Sequence, residues 1–298
     1  MSLQFLLDGL IAGSMIGLGA IGITLTYSIL RFSNFAHGDF MAWGTYAALA
    51  VVGALGGSTA LGPLSFGLPL VLALVVAMAL TALLALLLDW ALFARLRARG
   101  QSIIVVMASF GASMALRSLL EFIFTSRPAY FSRDIQIAMP VGLGIKITPD
   151  QIALLVMTLC LVAGMHLFLS RSQRGREMRA YSQNPALAQV AGIDIDRVVR
   201  ATWIIGAALA CVAGVMVGVL VQIRPLMGLS LLLPMFAAAI LGGIGSVPGA
   251  VLGGLIIGLS ESAAVQFIGA EWRAAVSFVI LMAVLLVRPM GLFGVAER

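Results

Sequence analysis

The sequence predicts an all-α integral membrane protein: a polytopic bundle of about eight to ten transmembrane helices with broken or re-entrant segments. Three observations lead there. The 298 residues are 61% hydrophobic and only 10% charged, where a soluble domain carries about 25% charged residues. The mean hydropathy is +1.11. The apolar residues come in long runs, and the basic residues gather between them. A bilayer core of about 30 Å takes about 20 apolar residues per crossing, so one bundle uses the whole chain and residues 1–298 form a single transmembrane domain.

The same numbers exclude several function classes. The net charge of +6 suits nucleic acid in a soluble protein, but here the arginines follow the positive-inside pattern of membrane loops, and no nucleic-acid partner is expected. Cys160 and Cys211 both lie inside apolar runs, which leaves neither a disulfide framework nor a CxxC site. No Lys or Arg precedes Arg31, so the first run is a retained helix and not a cleaved signal peptide.

The runs fall at about 3–30, 40–56, 68–88, 101–124, 151–170, 201–222, 231–247, 250–267 and 272–290. The first contains Gly9, Gly13 and Gly17 at four-residue spacing, which lets a second helix backbone approach closely. Gly249 with Gly253, and Gly254 with Gly258, repeat the spacing, and packing within one chain is favoured over a dimer seam. As one helix the first run would be about 42 Å long, longer than the hydrocarbon core. It ends in RFSNFAHGDF, residues 31–40. Two readings stay open there: a cytoplasmic turn, or a break below the membrane surface where Ser33 or Asn34 caps a new helix beginning near Phe35.

In the fourth run Arg117 and Glu121 stand at i,i+4 and are expected to neutralise each other. The 125–150 segment, with Pro128, Pro140, Gly142, Gly144 and Pro149, is a long turn-rich connection. Segment 171–200 is the longest polar insertion. Met178, Ala180, Tyr181, Leu187, Ala188, Val190, Ala191 and Ile193 recur among its charges. EMRAYSQ predicts a short amphipathic helix, Asn184-Pro185 the start of another, and Gly192 its stop. Two such helices with apolar patches suggest a docking surface. GGIGSVPGAVLGG, residues 242–254, cannot be regular helix throughout. It lacks the Lys-Ser/Thr of a phosphate loop, and a helical hairpin returning on the cytoplasmic side fits it best.

Orientation follows from the arginines. Placing Arg95, Arg97 and Arg99 inside with Arg171, Arg174, Arg176, Arg179, Arg197 and Arg200 puts Arg31, Arg288 and Arg298 inside too. Arg127, Arg133, Lys146, Arg224 and Arg273 are then outside, with the N-terminus periplasmic and the C-terminus cytoplasmic.

Candidate chemistry is sparse. His37 and His166 are the only histidines; His37 with Asp39 supplies at most two of the ligands a zinc site needs, and no metal is expected. No GxSxG or HExxH context appears, so no catalytic residue is assigned and the chain is not an enzyme. Glu261 lies about 16 Å into its run, near mid-bilayer. It must face the interior, be paired from another helix, or be protonated. A place on a transport path and a hydrogen-bonded carboxyl at a helix interface both satisfy that.

NFAHGDFMAWGTY (34–46), GREMRAYSQNPALAQVAGI (175–193) and LGGIGSVPGAVLGGLIIGL (241–259) resemble three signature stretches of permease subunits from bacterial ABC importers of the branched-chain amino-acid type. The similarity runs from Leu6 to about Gly294, and three separated matches in one order are far more specific than any one. The resemblance implies a subunit of the inner membrane that works with a second, homologous or identical permease, two cytoplasmic ATP-binding subunits and a periplasmic substrate-binding protein. It implies no cofactor on this chain and ATP hydrolysis on other subunits. The substrate would be a branched-chain or related amino acid, with urea, amides and aromatic acids as family alternatives. Segment 171–200 would hold the coupling helix, with Arg179, Ala180, Asn184, Ala188, Gly192 and Ile193 as contacts. The strict Glu-Ala-Ala motif with a later Gly, found in other ABC permeases, is absent, so it does not set the contact register. If residues 31–40 break the helix inside the membrane, the new helix start offers N–H groups to a carboxylate. Asn34, Phe35, His37, Gly38, Asp39 and Glu261 then line the path. The competing class is a stand-alone ion-coupled transporter with Glu261 and Asp39 as ion sites. It leaves the 171–197 insertion unexplained, and beyond 31–40 and 242–249 it lacks matched broken helices.

Overall fold

The computed structural model describes residues 3–57, 62–100, 102–132, 136–142, 145–288 and 290–294. Arg133, Gly144 and Arg298 lie outside them. Each apolar run drawn above contains a helix. Among the described residues, seven helices are long and apolar enough to cross a membrane. They are α1 (Gln4–Leu30), α3 (Leu68–Leu88) with its extension to Arg97, α5 (Ser102–Phe124), α6 (Pro149–Arg171), α9 (Ile195–Leu220), α11 (Val247–Phe267) and the final segment Ala270–Val287, which contains α12 (Arg273–Val287). The extension of α3 is a π-helical turn, Asp89–Phe93, followed by α4 (Ala94–Arg97). Two apolar helices are shorter or more polar: α2 (His37–Ala54) and α10 (Met227–Gly242).

Glycine decides the tightest packing. A Cβ on Gly9 would lie 2.8 Å from the Leu259 Cα, one on Gly13 2.8 Å from the Gly254 carbonyl, and one on Gly17 3.4 Å from the Val251 Cα. The partner numbers fall as the glycine numbers rise, so α1 and α11 are antiparallel. Gly249 and Gly253 do the same against the Gly242 and Ala238 carbonyls of α10. In a membrane, where no water drives apolar surfaces together, such close backbone approach replaces the hydrophobic effect.

Two half-helices occupy the middle. His37, the first residue of α2, reaches the carbonyl of Gly19, which is eleven residues before the end of α1, about 16 Å back along it. Residues 31–36 therefore turn back into the bundle, and α2 starts inside it. On the other side α9 ends at Leu220, about 21 Å beyond the level of Gly206, which packs near Gly22 of α1. Residues 221–226 then return, because Gly228 lies against Gly38. The expected outer loop between runs 201–222 and 231–247 is thus a second re-entrant segment, pinned where Ile223 bridges Ala129.

From that meeting point the half-helices run in opposite directions. The side chains of α2, such as Tyr46 and Val52, join Leu70 and Ala73 of α3 in one core cluster. Those of α10, such as Met235 and Leu241, join Leu30, Phe93 and Trp203 in the other, at the arginine-rich end. The units α1–α2–α3 and α9–α10–α11 repeat one arrangement with inverted direction: α1 packs on α11 as α9 packs on α3. Inverted repeats with discontinuous helices at their interface are a recurring transporter architecture.

Outside the bundle, β1 (Met139–Gly142) and β2 (Ile145–Ile147) form an antiparallel hairpin. The opposite, arginine-rich end carries α7 (Gln173–Gln183) and α8 (Pro185–Val190). Ser172 caps α7, Asn184 caps α8 by accepting from the Leu187 N–H at 3.0 Å, and Asp194 caps α9. Gly192 is left-handed at φ 82°, as a stop there requires.

Candidate functional site

The site grows from the first re-entrant segment. Arg31 ends α1 in a left-handed conformation, φ 58° and ψ 30°, and turns the chain back. Phe32 anchors the turn, buried with ring centroids 5.6 Å from Phe93 and 6.4 Å from Trp203. The π turn in α3 faces this point, and Phe93 stacks on Trp203 at 5.3 Å. The re-entrant backbone groups find side-chain partners: the Phe35 N–H donates to Ser109 Oγ at 3.2 Å and the Ala36 N–H to Asn34 Oδ1 at 3.1 Å. The helix begins two residues after the expected Phe35, with Asn34 closing the turn before it.

His37 is fully inside. Its Nε2 lies 3.1 Å from the Gly19 carbonyl. A carbonyl only accepts, so Nε2 carries the proton. A Cβ on Gly22 would come within 2.5 Å of the ring, so that glycine makes the imidazole's slot. Gly38 abuts Gly228. Asp39 is buried and accepts a hydrogen bond from Ser113 Oγ of α5. Arg117 Nε stands 3.4 Å from its other oxygen, and Arg117 Nη2 donates to Ser113 Oγ at 3.1 Å. The expected Arg117–Glu121 pair is thus replaced by an ion pair between helices. A buried carboxylate on α2 gains more from a cation than Glu121 does at its half-exposed position.

Glu261 stands elsewhere. Only 1% exposed, it accepts from Arg273 Nε at 2.7 Å and from Ser277 Oγ. Both partners are on α12, so the carboxylate clasps α11 to α12 away from the half-helices. Of the predicted path residues, Asn34, Phe35, His37, Gly38 and Asp39 come together and Glu261 does not join them.

Sequence reasoning missed what surrounds them. The Phe35 ring is 6.1 Å from Phe110 of α5 and 5.5 Å from Phe236 of α10. Phe110 is 51% exposed, and Leu226 and Leu229 beside the second re-entrant segment are exposed as well. Nothing local marks Phe110 or Phe236, since an aromatic in an apolar run is ordinary. The Arg224-Pro225 break followed by Gly228 was the available signal for the second half-helix.

The coupling candidates divide. Arg179, Ala180, Asn184 and Gly192 are exposed, Ile193 is half-buried, and Ala188 is buried. Arg179 Nη2 donates to the Ser170 carbonyl at 3.3 Å. Met178 is buried, and a Cβ on Gly175 would come within 2.5 Å of the Leu169 Cα, so α7 is braced on the end of α6. The apolar side chains left uncovered are Leu187, 65% exposed, and Val190, 87% exposed. Helix α8 is too short to hold that shape without its attachments.

Residues 5–285 match a family model described as the permease component of a branched-chain amino acid transport system. Among curated proteins, the chain is 32% identical over 300 residues to the high-affinity branched-chain amino acid transport system permease protein LivH of Escherichia coli, covering 99% of this chain and 96% of that protein. It is 33% identical over 300 residues to BraD of Pseudomonas aeruginosa, with the same coverage. A probable branched-chain amino acid transport permease protein of Methanocaldococcus jannaschii is 27% identical over 308 residues, covering 98% of this chain and 93% of that protein. Among solved structures, PsaBC from Streptococcus pneumoniae in complex with Fab superposes with a TM-score of 0.54 at 13% identity, over 97% of this chain and 93% of that one; the likeness is one of fold.

Proposed function

The chain belongs to the family of branched-chain amino acid transport system permease components, and from that premise we propose that it carries a small zwitterionic, apolar amino acid inward as the permease subunit of an ABC importer. ATP is hydrolysed on two separate cytoplasmic subunits, a periplasmic protein delivers the substrate, and a second permease completes the path.

The observation that carries this reading is the α7–α8 platform. It is braced on the bundle, yet it presents Leu187 and Val190 to the aqueous side. The half-helices alone suit a stand-alone ion-coupled transporter equally well, whereas such a transporter has no use for an ordered apolar surface outside the membrane. Arg179, Ala180, Asn184 and Gly192 then surround the ATPase contact, while Ala188 and Ile193 set the helix on its base. On this reading the arginine-rich end lies in the cytoplasm, with the N-terminus periplasmic and the C-terminus cytoplasmic, as the arginine distribution supports.

Irregular backbone at membrane depth is tolerated only against protein or a water-filled cavity. On this reading the exposed Leu226, Leu229 and Phe110 meet the second permease across the path. Phe35, Phe110 and Phe236 supply an apolar lining for a branched side chain. Asn34, His37, Gly38 and Asp39 hold the half-helix behind them, and Glu261 belongs to the α11–α12 clasp.

Uptake of labelled branched-chain amino acids into liposomes holding the whole assembly tests the reading. Dependence on ATP and on the loaded binding protein supports it. Uptake by this chain alone, driven by a proton or sodium gradient, overturns it, and uptake of urea or an aromatic acid in place of amino acids overturns the substrate assignment.

A further inference from the structure

A hydrogen bond ties the first re-entrant segment to the α7–α8 platform. Arg31 Nη2 donates to the Ser182 carbonyl at 2.6 Å. Ser182 is in the last turn of α7, and Pro185 follows three residues later. Its carbonyl is one of those a helix end leaves without an intrahelical donor, and a cation there also meets the negative end of the helix dipole. The guanidinium is delivered by the left-handed turn that ends α1, so the residue that starts the re-entrant segment also holds the end of α7.

Both sides of this contact are stiff. Through Gly175 and Met178, α7 is wedged on α6 and the core, upstream of its last turn. On the other side Phe32 follows Arg31 directly, packed against the stacked rings of Phe93 and Trp203. Six residues after Arg31 comes His37, docked on Gly19. We propose that Arg31 is a positioning residue: a strut through which movement of α7–α8 is passed to residues 31–36 and so to the start of α2. The proposal rests on the reading of α7–α8 as the ATPase contact.

The test uses the whole assembly with three variants of this chain. Asparagine tolerates the left-handed conformation but is too short to reach Ser182, so Arg31→Asn keeps the turn and removes the strut. We expect only a small change in melting, because the contact is exposed, with unchanged binding of the ATPase subunits and unchanged basal hydrolysis, and the amount of substrate moved per ATP lowered severalfold. Arg31→Lys, which retains a charged donor, recovers part of that ratio. Leu187→Asp controls for the docking reading by placing a charge on the exposed patch. If Leu187→Asp strips the ATPases while Arg31→Asn keeps them and uncouples, both readings stand. If Leu187→Asp strips the ATPases and Arg31→Asn transports with the unmodified ratio, the strut alone falls. If Leu187→Asp keeps both the ATPases and uptake, the docking reading falls and takes the strut with it.

Discussion

Gly38 and Gly228 meet backbone to backbone at the first turns of the two half-helices, where a Cβ on Gly38 would lie 2.5 Å from the Gly228 carbonyl oxygen. Neither atom of that contact belongs to a side chain, so nothing there can swing aside. We expect Gly228→Ala or Gly38→Ala to force α2 and α10 apart and to cost at least the roughly 1–3 kcal/mol typical of overpacking. Gly53, near the other end of α2, faces open space, and Gly53→Ala should be neutral or stabilising by up to about 1 kcal/mol. Thermal melting in detergent compares them; equal melting of Gly228→Ala and Gly53→Ala would refute the contact.

Asp39 and Arg117 make a second pair that only the folded chain brings together. Removing one partner leaves the other buried and uncompensated, which costs about 3–5 kcal/mol, whereas removing both is far milder. Asp39→Ala and Arg117→Ala should each melt well below the double variant, and Glu121→Ala should behave like the unmodified chain. A double variant as unstable as the sum of the singles would show that the two groups are not coupled.

At the α11–α12 clasp, Glu261→Gln keeps one acceptor oxygen, for Arg273, and turns its NH2 to Ser277 Oγ, which can accept, whereas Glu261→Lys sets a buried ammonium against Arg273. Melting should fall by about 1 kcal/mol in the first and several in the second. Folded Glu261→Gln should transport at nearly the unmodified rate. Loss of uptake with unchanged melting would return the carboxylate to the transport path.

On the α7–α8 platform, Val190→Asp changes a side chain that is 87% exposed and should leave insertion and melting unaltered while releasing the ATPase subunits during purification. Arg179→Glu reverses a charge beside the same surface and should abolish uptake with insertion intact. Retained uptake in Arg179→Glu would remove that residue from the coupling surface.

Much of the fold was legible because membrane helices declare themselves by composition: every apolar run holds a helix, and the capped start at Asn184-Pro185 and the stop at Gly192 follow from local backbone chemistry. The glycine spacing of α1 was readable for the same reason, since spacing on one helix face is a property of the sequence alone. Partners were not. Arg117 has Glu121 one turn away in its own helix and chooses Asp39 on another, because the burial of that carboxylate outweighs proximity along the chain. Glu261 has no cation within a turn and receives one from twelve residues on, across a helix hairpin.

By itself, then, the sequence determined a helical membrane bundle, a polar interruption at 31–40 and an amphipathic insertion at 171–200, because hydropathy, helix capping and charge placement act over a few residues. Tertiary structure alone decided that residues 31–36 turn back to the level of Gly19, that 221–226 answer them from the opposite side, and that Arg31 reaches Ser182. A chain that re-enters a membrane must satisfy its freed backbone groups on other helices, and which helices stand ready to do so is settled only when the bundle has packed.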